Sequence, residues 1–309
     1  MSKPRISVLI DTYNHERYIE QAIVSVLEQD FPREEMEIVV VDDGSTDSTP
    51  SVVEQFLPRL RYIRKTNGGQ ASAFNAAIPE LRGSIVAFLD GDDWWAKQKL
   101  SIVAEAFEAN PGIAAVGHGF YEVRDSEPAR EMFVPANTCF LDLSSVEAAR
   151  LADAGLTLLG TSRLSVRREV LNRIGALPED LVFCADSPIV AFALALGGAV
   201  ILERPLCYYR QHSQNLFAPI AVDGAVERRK FEQLRFLFSY VPPRLAEFGV
   251  ARDVIDAFVE SPRVEFEGAK LYSGEGGRLE VFRTERRRFQ THSMRPSILK
   301  IVSPLSSFG

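Results

Sequence analysis

Phe88-Leu89-Asp90-Gly91-Asp92-Asp93-Trp94-Trp95 is the stretch on which the reading of this chain turns. The apolar run Ile85 to Leu89 delivers three carboxylates within four positions, and two tryptophans close it. Acids this close repel one another and are costly to desolvate unless a cation gathers them. A hard divalent ion with oxygen ligands does that, and it is most useful where it also grips a diphosphate. The plain alternative is a solvated turn, because Asp is a common turn and cap residue. The rest of the chain decides between the two.

Upstream, strand, polar loop and helix alternate. Ile6 to Ile10 is a β-branched strand ending in Asp11-Thr12-Tyr13-Asn14, followed by apolar residues at helical spacing from Tyr18 to Leu27, with a cap expected near Asn14. Glu37 to Val41 is a second strand running into Asp42-Asp43-Gly44-Ser45, and Thr49-Pro50 has the order of an N-cap and first helical residue. Arg61 to Ile63 leads to Asn67-Gly68-Gly69-Gln70 and a helix bearing Phe74 and Asn75, and Ser84 to Leu89 is the fourth strand. This repetition predicts an α/β fold, Rossmann-like, with a mostly parallel central sheet flanked by helices. In such sheets ligands bind beyond the carboxyl ends of the strands, where this chain places all four polar clusters. Turn chemistry alone does not account for that placement.

Other Asp-rich or phosphate-binding patterns are absent. In Asp42-Asp43-Gly44 the glycine comes too early for an EF-hand, and Asp90-Gly91-Asp92 has Trp95 where the glycine belongs. Neither a P-loop nor a G-x-G-x-x-G follows the first strand, which disfavours an ATPase or dinucleotide enzyme.

The bulk properties agree with an ordinary globular protein. The chain has 309 residues, 46% hydrophobic and 25% charged, and a formal net charge of −7. That length suits a core domain with an appendage. The acidic balance argues against general nucleic-acid binding. Cys139, Cys184 and Cys207 are widely spaced and read as reduced core thiols, with neither a disulfide frame nor a zinc site. No signal-peptide pattern precedes the first strand, and the apolar run Ile189 to Leu202 is short and broken by Gly197-Gly198. The expected location is cytoplasmic, with peripheral contact at the inner face of the membrane left open.

Ser7 to Asn14, Val39 to Asp47 and Phe88 to Trp94 together resemble family 2 glycosyltransferases, which are inverting, GT-A-fold enzymes using nucleotide-sugar donors. The resemblance continues through Asn67-Gly68-Gly69, Asn75, Ile174 to Glu179, Ala185-Asp186 and Tyr209 to His212, roughly the first two-thirds of the chain. It implies that Thr12 and Tyr13 border the nucleotide base, that Asp43 reads it with Asp42 alongside, and that Asn67, Gly68 and Asn75 wall the base and diphosphate. It implies a D-x-D pair of Asp90 and Asp92 near ribose and metal, with Gly91 allowing close approach and Asp93 in support. Asp186 matches the catalytic base, and His212 matches a histidine that approaches the diphosphate or metal. The implied cofactor is Mn²⁺ or Mg²⁺, the donor a UDP-sugar, and the acceptor a saccharide or lipid-linked glycan in cell-surface polysaccharide synthesis.

The physical logic of these roles is direct. Substitution at an anomeric carbon needs a base on the acceptor hydroxyl, for which one carboxylate suffices, and charge relief on the departing diphosphate. Two departures stand out. Asp11 replaces the family's usual proline, and Ala185 replaces the acid that usually precedes the base. Asp186 also has a plain reading as a helix cap, and His212 as a lone surface histidine.

Thr157 to Val166 alternates and is expected to be a strand; by the resemblance it contributes Thr161, Ser162 and Arg163 as weaker candidates bordering donor and acceptor, with Ser162 and Arg163 toward the acceptor, against an ordinary edge strand. His15, His118 and His292 receive no role. Trp94 and Trp95 are expected to pack the following helix. The chain divides into a catalytic domain over residues 1–220 and a mainly helical extension over 221–309. Arg283, Arg286, Arg287 and Arg288 form a basic run there, read as a solvated helix face or as a contact for acceptor, membrane or partner. Two alternatives to an active transferase follow from the sequence. One is a nucleotide-sugar-binding module that has lost catalysis, suggested by Ala185. The other is a sugar-nucleotide nucleotidylyltransferase, disfavoured because the first loop lacks the Gly-rich basic segment.

Overall fold

The computed structural model describes residues 4–124, 131–212, 215, 224–260 and 299–302. It begins with β1 (Ile6–Thr12), α1 (Ile19–Leu27), β2 (Met36–Asp42), α2 (Thr49–Glu54), β3 (Arg61–Arg64), α3 (Gln70–Ala77) and β4 (Ile85–Asp90). There follow β5 (Trp94–Trp95), α4 (Lys99–Ala109), β6 (Ala115–Arg124), β7 (Glu131–Pro135), β8 (Cys139–Leu141) and α5 (Val146–Gly155). The described chain ends with β9 (Ser165–Arg167), α6 (Arg168–Ile174), α7 (Asp186–Leu196), β10 (Ala199–Gln211), α8 (Gly224–Glu247), α9 (Arg252–Phe258) and β11 (Leu299–Val302).

One sheet carries all the strands, in the order β11-β7-β6-β9-β4-β1-β2-β3, with β10 joining β5, β6 and β8. The first four strands are parallel, as the alternation of strands and helices predicts. β1 and β2 have apolar centres, Val8 to Ile10 and Ile38 to Val41, and are buried on both faces. Beyond β4 the sheet is mixed. The three-residue β9 slips antiparallel between β4 and β6, while β10 runs parallel to β6. The parallel expectation thus describes the N-terminal half, and short reversals set the rest.

Local chemistry explains where the elements deviate from expectation. Asn14 does not cap α1, whose first turn follows Tyr18 without a side-chain cap. Asn14 instead takes a φ of 56° and ties the first loop to the second: its N–H donates to Ser45 Oγ and its Oδ1 accepts from Thr46 N–H. Thr49, in the first turn of α2, accepts from His15 N–H. The expected strand over Thr157 to Val166 is two 3-10 turns, Leu156–Leu159 and Thr161–Arg163, followed by β9. Leu158, Leu159 and Leu164 are buried there as an alternating strand would bury them, but Gly160 interrupts any ladder.

The second helical layer shares the core of the sheet. Phe192 of α7 is fully buried and meets Tyr240 and Phe248 edge-on at 6.1 and 5.4 Å. Val254, Ile255 and Phe258 of α9 bury against α5. The extension also returns one strand, β11, antiparallel to β7. The boundary near residue 221 and the basic run at Arg283 to Arg288 lie outside the described residues. No disulfide joins Cys139, Cys184 or Cys207. No described helix is long and apolar enough to cross a membrane.

Candidate functional site

Parallel register brings the acids together. Asp11 on β1 stands beside Asp90 on β4, and Thr12 beside Asp42 on β2. The chain after β4 then turns tightly: Gly91 N–H donates to Asp11 O, and a Cβ on Gly91 would lie 2.7 Å from Thr12 Oγ1. Only glycine lets the acidic loop lie this close to β1. Asp186 arrives from elsewhere, in the first turn of α7, after a left-handed residue at Cys184 (φ 61°) redirects the chain.

A single 3-10 turn holds both carboxylate sets. Thr161 donates its N–H and its hydroxyl to Asp186 Oδ2 at 2.8 and 3.1 Å. The next residue, Ser162, receives Asp90 N–H on its Oγ and donates that hydroxyl to Asp90 Oδ2, both at 3.1 Å. Gln70 completes the clasp: its Nε2 donates to Asp90 Oδ1 at 3.1 Å and lies 3.5 Å from Asp11 Oδ2, while its Oε1 accepts from Ala185 N–H.

The acidic loop is held on its other side by β10 and α1. His212 Nε2 donates to Asp92 Oδ2 at 2.9 Å, and His15 Nε2 lies 3.8 Å from the same oxygen. Arg210, almost fully buried, gives its N–H to Asp93 Oδ1 and its Nε–H to the Asp92 carbonyl, with its guanidinium over the rings of Tyr18 and Trp94.

This crowding separates the carboxyls electrostatically. Burial and the nearby Asp92 charge push Asp11 up to about 8 and Asp93 up to about 7. Burial, then Asp11, raise Asp90 well above the usual carboxylate range. Burial also opposes ionisation of Asp92, but the imidazoles of His15 and His212 outweigh it and hold Asp92 below its ordinary value. Asp186 is raised by burial, against the opposing pull of the Thr161 donors. The result is one firmly ionised carboxylate, Asp92, and an Asp186 whose affinity for a proton is enhanced.

The loop carries donors of the kind a divalent cation takes. Asp92 has two imidazoles beside it, and Asp93 Oδ2 and Asp11 Oδ1 are buried oxygens without a hydrogen-bond partner. Among the described residues, however, no group of three or more His, Cys, Asp or Glu side chains is placed to hold a metal ion. A cation bound here would need oxygens from a substrate to complete its coordination.

The remaining residues expected at the site divide by what their polar atoms already do. Tyr13 is 43% exposed at the end of β1, open to stacking. Asp43 is fully engaged by Lys65 Nζ and the N–H groups of Gly68 and Gly69, so it fastens the loop Asn67-Gly68-Gly69. Gly68 leaves room for Ser72, whose Oγ would be 2.7 Å from a Cβ there.

Asp42, Asn75, Ser162, Arg163, His15 and Trp94 make contacts the sequence reading did not expect. Asp42 is completely buried, bonded to Ser45 N–H and Tyr62 Oη–H, and has no oxygen free for a ligand. The Asn75 amide is consumed by both backbone groups of Leu177 and docks α3 onto that segment. Ser162 is buried with its hydroxyl bonded to Asp90, and the Arg163 guanidinium lies over the rings of Phe120 and Tyr209. His15, given no role from the sequence, contacts Asp92 and Thr12. Trp94 stacks on Tyr208 of β10, whereas Trp95 packs onto Lys99 of α4. Lys99 escaped the sequence reading, while Gln70 and Arg210 stood inside the quoted stretches Asn67 to Gln70 and Tyr209 to His212 without a role of their own.

Comparison with known proteins follows this geometry. The family model described as glycosyl transferase family 2 matches residues 7–175, more than half of the 309. An uncharacterized glycosyltransferase of Nostoc sp. is 33% identical over 226 residues, covering 68% of this chain and 66% of the relative, so the chain spans about two-thirds of that protein's length. The crystal structure of Staphylococcus aureus TarS residues 1–349 in complex with UDP-GlcNAc superposes with a TM-score of 0.59 at 20% identity, over 94% of this chain and 90% of the other. The mannosyltransferase PcManGT of Pyrobaculum calidifontis, in complex with GDP-Man and Mn²⁺, gives 0.55 at 21% identity over 96% of this chain and 84% of the other. These structures share the GT-A architecture seen here. The chain belongs to glycosyl transferase family 2.

Proposed function

We propose that the protein is an inverting glycosyltransferase that moves a sugar from a nucleotide-sugar donor, with UDP as the nucleotide, to a saccharide or lipid-linked acceptor of a cell-surface polysaccharide. The observation that carries this reading is the turn at Thr161 and Ser162, which fixes Asp186 and Asp90 from consecutive residues. In this reading the turn ties the base, Asp186, to the donor-side carboxylate, Asp90. TarS with UDP-GlcNAc and PcManGT with GDP-Man support the donor class, and the UDP choice follows TarS.

In this reading Thr12, Tyr13 and the loop fastened by Asp43 border the base. Asp90, Asp92 and His212 face the diphosphate. The acceptor hydroxyl loses its proton to Asp186 as its oxygen bonds to the anomeric carbon. The carbon–oxygen bond to the diphosphate breaks with its electron pair leaving on the nucleoside diphosphate. A single base opposite the leaving group gives inversion. A Mn²⁺ or Mg²⁺ ion bound at Asp92, with Asp90 and His212 beside it, would relieve charge on the leaving group.

The test is a thermal-shift screen of UDP-, GDP- and dTDP-sugars, each with and without Mn²⁺. A ligand that binds the folded state raises Tm by mass action. The reading expects the largest shift from a UDP-sugar with Mn²⁺. No shift from any nucleotide-sugar at millimolar concentration contradicts it.

A further inference from the structure

Beneath the turn that clasps the two carboxylates lies a charged residue with no place in the chemistry. Lys99, in the first turn of α4, is completely buried. Its Nζ donates to the carbonyl oxygen of Ser162 at 2.9 Å and sits 3.6 Å from the centre of the Trp95 ring. Trp95 Nε1–H donates to that same carbonyl at 2.9 Å. Ser162 is therefore held at both ends, by two donors on its carbonyl from below and by Asp90 on its hydroxyl from above. Its neighbour Thr161 holds Asp186.

Burying a lysine is expensive, and an apolar side chain of similar length would fill the same space more cheaply. A core that keeps Lys99 gains something specific, and the specific thing here is a fixed Ser162 carbonyl. Burial drives the amine towards its neutral form, with Arg163 and His118 in the same sense and Cys207 and Asp93 opposing it. A neutral amine still donates a hydrogen bond, so the clamp does not depend on charge.

We propose that Lys99 is a positioning residue. By anchoring the Ser162 carbonyl together with Trp95, it sets the turn Thr161–Arg163 and so fixes the separation of Asp186 and Asp90. The effect on turnover rests on the function proposed above; the effect on the turn does not. Reacting groups misplaced by about an ångström lose on the order of a hundredfold in rate, so a loosened turn should be visible in kcat.

The test compares the 309-residue chain with its Lys99→Met and Lys99→Arg variants. Amide hydrogen exchange reads the turn directly, through the Thr161 and Asp90 N–H groups that bond Asp186 and Ser162. Lys99→Met should exchange at both amides at least about tenfold faster, with β1 and β2 amides unchanged. It should lower kcat about tenfold or more while changing the KM for donor less than about threefold, and Lys99→Arg should recover part of kcat. A general packing role would lower Tm and speed exchange across the core while leaving the kcat of folded molecules intact. If Lys99→Met does not fold, Trp95→Phe, which deletes the other donor to the same carbonyl, must reproduce the exchange pattern. Unchanged exchange at Thr161 and Asp90 in a folded Lys99→Met overturns the proposal. A parent protein without transferase activity refutes the function, and the exchange result still decides the role of Lys99.

Discussion

Thr161 gives both its backbone N–H and its hydroxyl to one oxygen of Asp186, Oδ2, at 2.8 and 3.1 Å. Two donors on one oxygen orient the carboxyl and lower its proton affinity, against the burial that raises it. Thr161→Val keeps the shape, keeps the backbone donor and removes the hydroxyl. It should lower kcat roughly tenfold and move the acid limb of the kcat/KM profile to higher pH, because one interaction favouring the ionised form is gone. A pH–rate profile identical to the parent's would detach Thr161 from the base.

Asp92 carries the ionised charge of the acidic loop, and His212 orients it at 2.9 Å. A partner that orients a metal ligand is worth about 10–100-fold in affinity. His212→Ala should therefore weaken Mn²⁺ binding by that amount in calorimetry with UDP present, and Asp92→Ala should abolish it. Tight, unaltered Mn²⁺ binding in Asp92→Ala would place the cation elsewhere.

The raised carboxyls make an apo-state pH prediction. Asp11 is pushed up to about 8 and Asp93 up to about 7 from an ordinary value of 3.8. Between about pH 4 and 8 the folded chain keeps protons that the unfolded chain has released, so stability falls as pH rises through that window. Asp11→Asn removes one contributor to this slope, which Asp90, Asp93 and Asp186 share. With chelator present, its Tm relative to the parent should rise from pH 5 to pH 8.5 by about 3 °C or more, at about 2–4 °C per kcal/mol. A constant difference across that range would show that Asp11 is ionised in the folded state.

Gly91 and Phe192 probe the frame. A Cβ on Gly91 would lie 2.8 Å from Thr12 Cβ and 3.0 Å from Asp11 O, so Gly91→Ala should destabilise by about 1–3 kcal/mol and weaken nucleotide binding together. Phe192→Ala should cost about 3–5 kcal/mol in denaturant unfolding, because Phe192 joins α7 to α8 in the common core. A separate, biphasic unfolding of the helical part would instead mark it as an independent unit.

What the sequence disclosed follows from range. The strands of the parallel half announce themselves by continuous apolar runs, and their polar ends by position, so Asp11, Thr12, Asp90 and Asp92 were all placed on one edge. Contacts made far along the chain left no local mark. Gln70 reaches Ala185 across 115 positions, and Arg210 reaches Asp92 across 118. Lys99 was hidden for another reason: a lysine near a helix start reads as a surface residue, and only packing reveals that it is buried. Thr157 to Val166 alternates like a strand because two 3-10 turns bury the same leucines. Asp42 and Asp43 share one motif, yet one is sealed under Tyr62 and the other ties down a loop, a division that side-chain direction alone decides.

The most direct measurement of the central claim is sugar transfer from a UDP-sugar donor with Mn²⁺, comparing the parent with Asp186→Asn at matched saturation. Asp186→Asn should bind UDP within about threefold of the parent while losing about 10²–10⁴-fold in kcat, the range a general base supplies. Turnover by Asp186→Asn within a few-fold of the parent would contradict the account.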